Sequence, residues 1–178
     1  MAPLLHNRLD ALLLALALGA SLLAGPALAE TPRERVTQDF IAAVADAADL
    51  NETVEIPVPD GARNRYFAHV LNLRPSAAPK VTGNRDVSLH NPTTGRRRHL
   101  GVAELEFASA DVAAHVESAS RRSQQRFFAR TKILTRYVLV RQQSSVLLVY
   151  TETAADPQVN GFLDRVPVLR ARWWADGK

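Results

Sequence analysis

The sequence predicts an α+β domain: a mostly antiparallel sheet of about five strands with two to three helices. Three observations predict it. Lys132 to Arg141 and Val146 to Glu152 are apolar, β-branched runs joined by Gln142-Gln143-Ser144-Ser145, which reads as a hairpin. Asp86 to His90 and Arg96 to Phe107 flank the turn Asn91-Pro92-Thr93-Thr94-Gly95 and form a second. Thr31, Ser109 and Asp156 each stand where a side-chain oxygen can take the free amides of a helix start.

Composition bounds the rest. The chain has 178 residues, 47% of them hydrophobic and 22% charged, with 10 Pro, 8 Gly and no cysteine. A disulfide-stapled scaffold and a thiolate metal site are excluded. Collagen-like and wholly disordered chains do not fit these proportions, and one globular domain is the expected content.

Residues 1–29 differ from the remainder. Arg8 sits in a short head, an apolar run extends from Ala11 to Leu23, and Gly25-Pro26 break it before Ala27-Leu28-Ala29. Small residues at positions 27 and 29, ahead of the polar Glu30-Thr31, predict a cleavable secretory signal cut near Ala29. The run is short for a membrane span, the alternative being an uncleaved anchor. Cleavage leaves residues 30–178 as a single domain, in the periplasm or secreted, with no transmembrane span. Arginine far outnumbers lysine, a bias typical of GC-rich bacterial genomes.

In the mature chain, Thr31-Pro32-Arg33-Glu34 combines a cap, a first-turn proline and a capping-box glutamate. Val36, Phe40, Ile41, Val44 and Ala48 continue at helical spacing, opposite an acidic stripe of Asp39, Asp46 and Asp49, so an acidic helix is expected over about 32–50. Thr53 to Val58 reads as an edge strand because Pro57 cannot donate to an interior ladder. Ala62 to Leu73 fits a helix through Tyr66, Phe67, Val70 and Leu71. It also fits a strand through Phe67, His69, Leu71 and Leu73, and the strand is preferred. Arg74 to Arg85 reads as a loop, and Gly101 as a bulge.

Ser109 opens a second helix with Asp111 in its first turn, Arg121-Arg122 in its last, and a narrow stripe of Val112, Val116 and Ala119. In the following hairpin, pairing Arg141 with Val146 sets Leu139 opposite Leu148 and Tyr137 opposite Tyr150 on one face, with Val140 opposite Leu147 and Val138 opposite Val149 on the other. Both faces are apolar, so both need cover, from the first helix, a ligand or a second subunit. Asp156-Pro157 starts a third helix along Val159, Phe162, Leu163 and Val166; Pro167 is expected to end it, and Val168 to Trp174 to form a last strand. From Val102 the order is then strand, helix, strand, strand, helix, strand, a ferredoxin-like order. In that order alone the chain resembles the peptidoglycan-binding SPOR modules.

Charge carries the functional expectation. Residues 30–60 are strongly acidic and the remainder strongly basic. Arg121, Arg122, Arg126, Arg130, Lys132, Arg136 and Arg141 follow one another between Ser118 and Tyr150 without an acid. Arg96, Arg97 and Arg98 cluster beside the hairpin turn. Guanidinium groups supply two-pronged donors to phosphate, acidic glycan or anionic lipid head groups, so Arg96, Arg97, Arg98, Arg121, Arg122, Arg126, Arg130 and Arg136 are the candidate anion-binding residues. A solvated basic face is the plainer account. Trp173 and Trp174, flanked by Arg170 and Arg172, are candidate aromatic contacts, one in the core and the other partly exposed.

Catalysis finds little to work with. Gly-x-Ser-x-Gly, P-loop and dinucleotide fingerprints are absent, and His69, His90, His99 and His115 lack metal-ligand spacing, so neither metal nor cofactor is implied. Glu104 and Glu106 share a strand face and are candidates for an acid/base pair, though outward charge explains them more simply. The sequence therefore points to an exported, non-catalytic binding domain contacting an anionic envelope component, glycan or lipid head group, or a protein partner. Nucleic acid is not expected, in the absence of a reading motif. A small hydrolase and a homodimer formed through an apolar sheet face are the alternatives.

Overall fold

A computed structural model of the protein describes residues 29–45, 60–131, 136–151 and 156–175, without the side chains of residues 60 and 121–131. The expected signal segment, the Thr53–Val58 strand, and Asp46 and Asp49 lie outside the described residues. Contacts divide the chain into Met1–Glu30 and Thr31–Lys178, and every element named below belongs to the second unit.

The elements run α1 (Pro32–Ala43), α2 (Asp60–Val70), a 3-10 turn (Pro75–Ala77), β1 (Lys80–His90), β2 (Arg97–Glu106), α3 (Ala110–Thr131), β3 (Arg136–Gln142), β4 (Ser145–Thr151) and α4 (Pro157–Trp174). The strands form one sheet in the order β1-β2-β4-β3, each antiparallel to its neighbour. β2 and β3 consequently run parallel with β4 between them, and α3 makes the crossover. The fold is α+β with a four-stranded antiparallel sheet among the described residues.

Local chemistry sets the element boundaries. Thr31 Oγ1 accepts the Glu34 amide at 3.2 Å while Glu34 Oε2 accepts the Thr31 amide at 3.0 Å, closing the capping box of α1. Asp156 caps α4 through the Gln158 and Val159 amides. The β3–β4 hairpin adopts the expected register: Arg141 faces Val146, Leu139 faces Leu148 and Tyr137 faces Tyr150. Pairing extends one step further, to Gln142 and Ser145, with Gln143 turning the chain at φ 54°.

Both sheet faces are covered by the chain's own helices. Val36, Phe40 and Val44 near α1, and Val159, Phe162, Leu163, Val166 and Trp173 of α4, pack on Val87, Leu89, Leu100, Val102, Val140, Leu147 and Val149. On the opposite face, Phe67 and Val70 of α2, with Leu71, and Ala113 and Val116 of α3 pack on Ala103, Leu105, Tyr137, Leu139, Val146, Leu148 and Tyr150. The apolar face that a homodimer would have covered is thus filled from within.

Four expectations are corrected. Residues 60–70 are helical, with Phe67, Val70 and Leu71 buried at i, i+3, i+4 and His69 exposed between them. Asn72 ends this helix at φ 53°, and the bonds Leu73 N–H to Ala68 C=O (2.8 Å) and Asn72 N–H to His69 C=O (3.0 Å) make the Schellman pair. Second, β1 begins at Lys80, inside the expected loop, and the bulge lies between Val81 and Gly83 rather than at Gly101. Third, α3 runs on to Thr131, well past Arg122.

Fourth, α4 passes through Pro167 and holds Val168 to Trp174 as helix, not strand. A mid-helix proline costs about 3 kcal/mol. Pro167 points to solvent, however, while Leu169 and Trp173 continue the sheet-facing stripe beyond it. Full burial of a large apolar side chain is worth about 1.5–3 kcal/mol, and buried Trp173 together with partly buried Leu169 offsets that cost. The strand–helix order from Val102 therefore ends in a helix, and the ferredoxin-like order, with its SPOR-like topology, is not completed.

Candidate functional site

Of the arginines singled out by the sequence, those with described side chains are mostly held by acidic partners within the fold. Arg98 is buried and its Nε donates to Asp156 Oδ2 at 3.1 Å; Arg96 Nη2 meets the same oxygen at 3.3 Å. This pair ties the tip of the β1–β2 hairpin to the start of α4. Burial raises the Asp156 pKa, but amide bonds from Val159 and Gln158 and the bond from Arg98 more than reverse this, leaving the carboxyl below its ordinary range. Arg136 pairs with Asp164 and donates to the Asn160 carbonyl at 3.4 Å. Arg97 is exposed. The side chains of Arg121, Arg122, Arg126 and Arg130 lie outside the described residues. Arg96, Arg98 and Arg136 are engaged within the fold.

Glu104 and Glu106 stand in different surroundings. Glu106 accepts hydrogen bonds from Ser144 Oγ and Ser145 Oγ, each at 2.6 Å, which fasten the β3–β4 turn and lower its pKa. Glu104 stands beside Gly83 and Arg33. Asp39, on the acidic helix, has a structural role: Trp173 Nε1 donates to its Oδ2 at 2.7 Å and Arg172 Nη2 meets its Oδ1 at 2.7 Å.

A different grouping forms where the end of β3 meets the last turns of α4. Arg141, Gln142, Arg170, Ala171, Trp174 and Ala175 line an open hollow of about 240 Å³. The continuous helix creates it. On the helical period, Trp173 turns inward and is buried while Trp174 is half-buried at the rim; the expected division between the tryptophans holds although the strand does not. Arg141 is held in place, its Nε donating to Glu117 Oε2 at 3.1 Å and its Nη1 to the Gln143 carbonyl at 3.3 Å. Arg170 is exposed and makes no hydrogen bond or ion pair among the described residues. Among the described residues no carboxylate lines the hollow.

A second polar grouping, which sequence reasoning missed, lies on the α2/α3 face of the sheet. Tyr150 is buried and its hydroxyl donates to Asp86 Oδ1 at 2.8 Å; His99 Nε2 stands 3.4 Å from the same oxygen. Burial pushes the Asp86 pKa up, but the bonds from His99 and Tyr150 outweigh it and hold the carboxyl below its ordinary range. Asp86, Gly101 and Tyr150 sit opposite one another across β1, β2 and β4. The hairpin that pairs Asp86 to His90 with Arg96 to Phe107 was the available signal, but the pairing of that second strand with β4, which brings in Tyr150, was not. Tyr150 is buried, while the side chains of Asp86 and His99 keep 16% and 19% of their exposure.

Among the described residues no group of histidine and acidic side chains is arranged to hold a metal ion, and no helix is long and apolar enough to cross a membrane. Comparison with protein-family models, with curated proteins and with solved structures finds no match.

Proposed function

We propose that the protein is an exported, non-catalytic binding domain, periplasmic or secreted after cleavage near Ala29, that contacts an anionic component of the cell envelope. The observation that carries this reading is the hollow between β3 and α4, where Arg170, unpaired among the described residues, and oriented Arg141 flank the half-buried Trp174 indole with no described carboxylate between them. A cationic rim beside an aromatic face binds anions by charge and fixes them by contact. A hydrolytic site would instead gather a carboxylate or histidine around a concavity. Arg97 and the arginines at 121, 122, 126 and 130 extend the basic surface in this reading.

The test is retention of the purified protein on an immobilised anionic polysaccharide and on phosphatidylglycerol vesicles across a salt gradient. Retention that falls as salt rises and is weakened by Arg170→Ser supports the proposal. Passage of the protein unretained at low salt overturns it.

A further inference from the structure

We infer that the hollow between β3 and α4 is a subsite for an acidic pyranose, a sugar ring carrying a single carboxylate. The inference rests on the anion-binding reading above and narrows it to one ligand chemistry.

Charge is the first argument. Among the described residues Arg141 is paired with Glu117 and the neighbouring Arg172 with Asp39, whereas Arg170 makes no ion pair and is the cation the hollow offers to a ligand. The hollow also lies at the C-terminal end of α4, where the helix dipole places about half a negative charge. One cation opposed by that field suits a monoanion. A phosphate monoester or polyphosphate brings about two charges or more and would be under-compensated here.

Shape and hydrogen bonding give the second argument. A volume of about 240 Å³ falls below the range of roughly 300–1,000 Å³ typical of drug-sized ligands, so the hollow accommodates one ring rather than a dinucleotide. Trp174, packed in part against the core, is the aromatic residue lining the hollow, and the negative quadrupole of an indole face attracts the electropositive C–H bonds on one side of a pyranose. Gln142 supplies both a donor and an acceptor for ring hydroxyls. The carbonyls of the last turn of α4 have no intrahelical partners, and only N–H or O–H donors can use them; Arg35 already takes that of Arg172. Such acceptors favour a polyhydroxylated ligand over a purely anionic one. Arg170 then pairs with the carboxylate while Trp174 stacks on the ring.

The experiment is a fluorescence titration, because the chain's two tryptophans differ: Trp173 is buried and Trp174 lines the hollow. The purified protein is titrated with oligogalacturonate, free galacturonic acid, a neutral maltooligosaccharide, tripolyphosphate and phosphatidylglycerol vesicles. The inference predicts a saturable emission change with uronate, at least tenfold weaker binding of the neutral oligosaccharide and of tripolyphosphate, and loss of the change in Trp174→Ala. Arg170→Ser should weaken uronate binding about tenfold, and circular dichroism should show both variants folded. Tighter binding of the oligomer than of the free acid assigns a glycan source; equal binding assigns a soluble sugar acid. Absence of a uronate response, while Arg170-dependent retention on vesicles or polyphosphate persists, overturns the sugar assignment and leaves the anion reading standing. If no anion binds at all, both fall.

Discussion

Tyr150 occupies the place where a side chain at Gly101 would stand: a Cβ built on Gly101 would lie 2.0 Å from Tyr150 Cζ. The two residues are direct cross-strand partners on β2 and β4, and the ring crosses the glycine to reach Asp86 on β1. The glycine is required here for close approach rather than for backbone freedom. Gly101→Ala should destabilise the fold by about 3 kcal/mol, the upper end of overpacking costs. Combining it with Tyr150→Ser should cost less than the two changes added, because the clash then has no second partner. Urea midpoints of the four proteins measure this, and strict additivity would refute the contact.

The same ring gives a pH dependence. The Asp86 pKa is lowered in the fold, since bonds from His99 and Tyr150 overcome the effect of burial. A depressed carboxyl contributes stability that is fully present above its unfolded value of about 3.9 and is lost as pH falls through the lower folded value. Tyr150→Phe removes one of the bonds and should cost about 1 kcal/mol at neutral pH. It should also flatten the loss of stability below about pH 4 relative to the parent. Unfolding free energies measured from pH 2 to 7 decide this; parallel curves for the two proteins would count against it.

Arg98 and Asp156 are both buried, 58 positions apart in sequence, and hold the hairpin tip to the α4 cap. Asp156→Ala removes an ion-pair partner of buried Arg98 and uncaps the Gln158 and Val159 amides, with an expected loss of about 2–4 kcal/mol. Arg96 is more than half exposed, and Arg96→Ala should change stability by less than about 1 kcal/mol. Thermal denaturation of both variants tests the contrast, and similar costs would contradict it.

Pro167 offers a test of the continuous helix. Proline is unfavourable in a helix interior by about 3 kcal/mol relative to alanine, so Pro167→Ala should raise stability by about 1–3 kcal/mol and leave the helical circular-dichroism signal intact or larger. If residues 168–174 were instead a strand after a helix stop, the substitution would be neutral or harmful.

What the sequence disclosed follows from range. The β3–β4 register was readable because a short turn and alternating apolar residues fix it locally. The caps at Thr31 and Asp156 were readable for the same reason. α2 was misassigned because Phe67 and Leu71 satisfy both periods; Val70, buried, and Asn72, in the left-handed region, were the deciding positions. Pro167 reads in the sequence as a stop signal, but packing of Trp173 against the sheet outweighs it and residues 168–174 stay helical. For the site, individual arginines were visible but their partners were not. Asp156, Asp164 and Glu117 engage Arg98, Arg136 and Arg141 across 58, 28 and 24 positions. Only the fold shows that Arg170, named merely as a neighbour of the tryptophans, is the cation left free beside Trp174.

The hollow as the anion-contacting site is tested most directly by the two indole N–H resonances of the chain. In a nitrogen–proton correlation spectrum, Trp173 Nε1, bonded to Asp39, and Trp174 Nε1 give separate signals that single substitution assigns. On adding an acidic oligosaccharide, the account predicts a saturable shift of the Trp174 signal, with backbone shifts at Gln142 and Arg170 and none at Trp173. An unmoved Trp174 signal, with shifts gathered elsewhere on the surface or absent altogether, would contradict it.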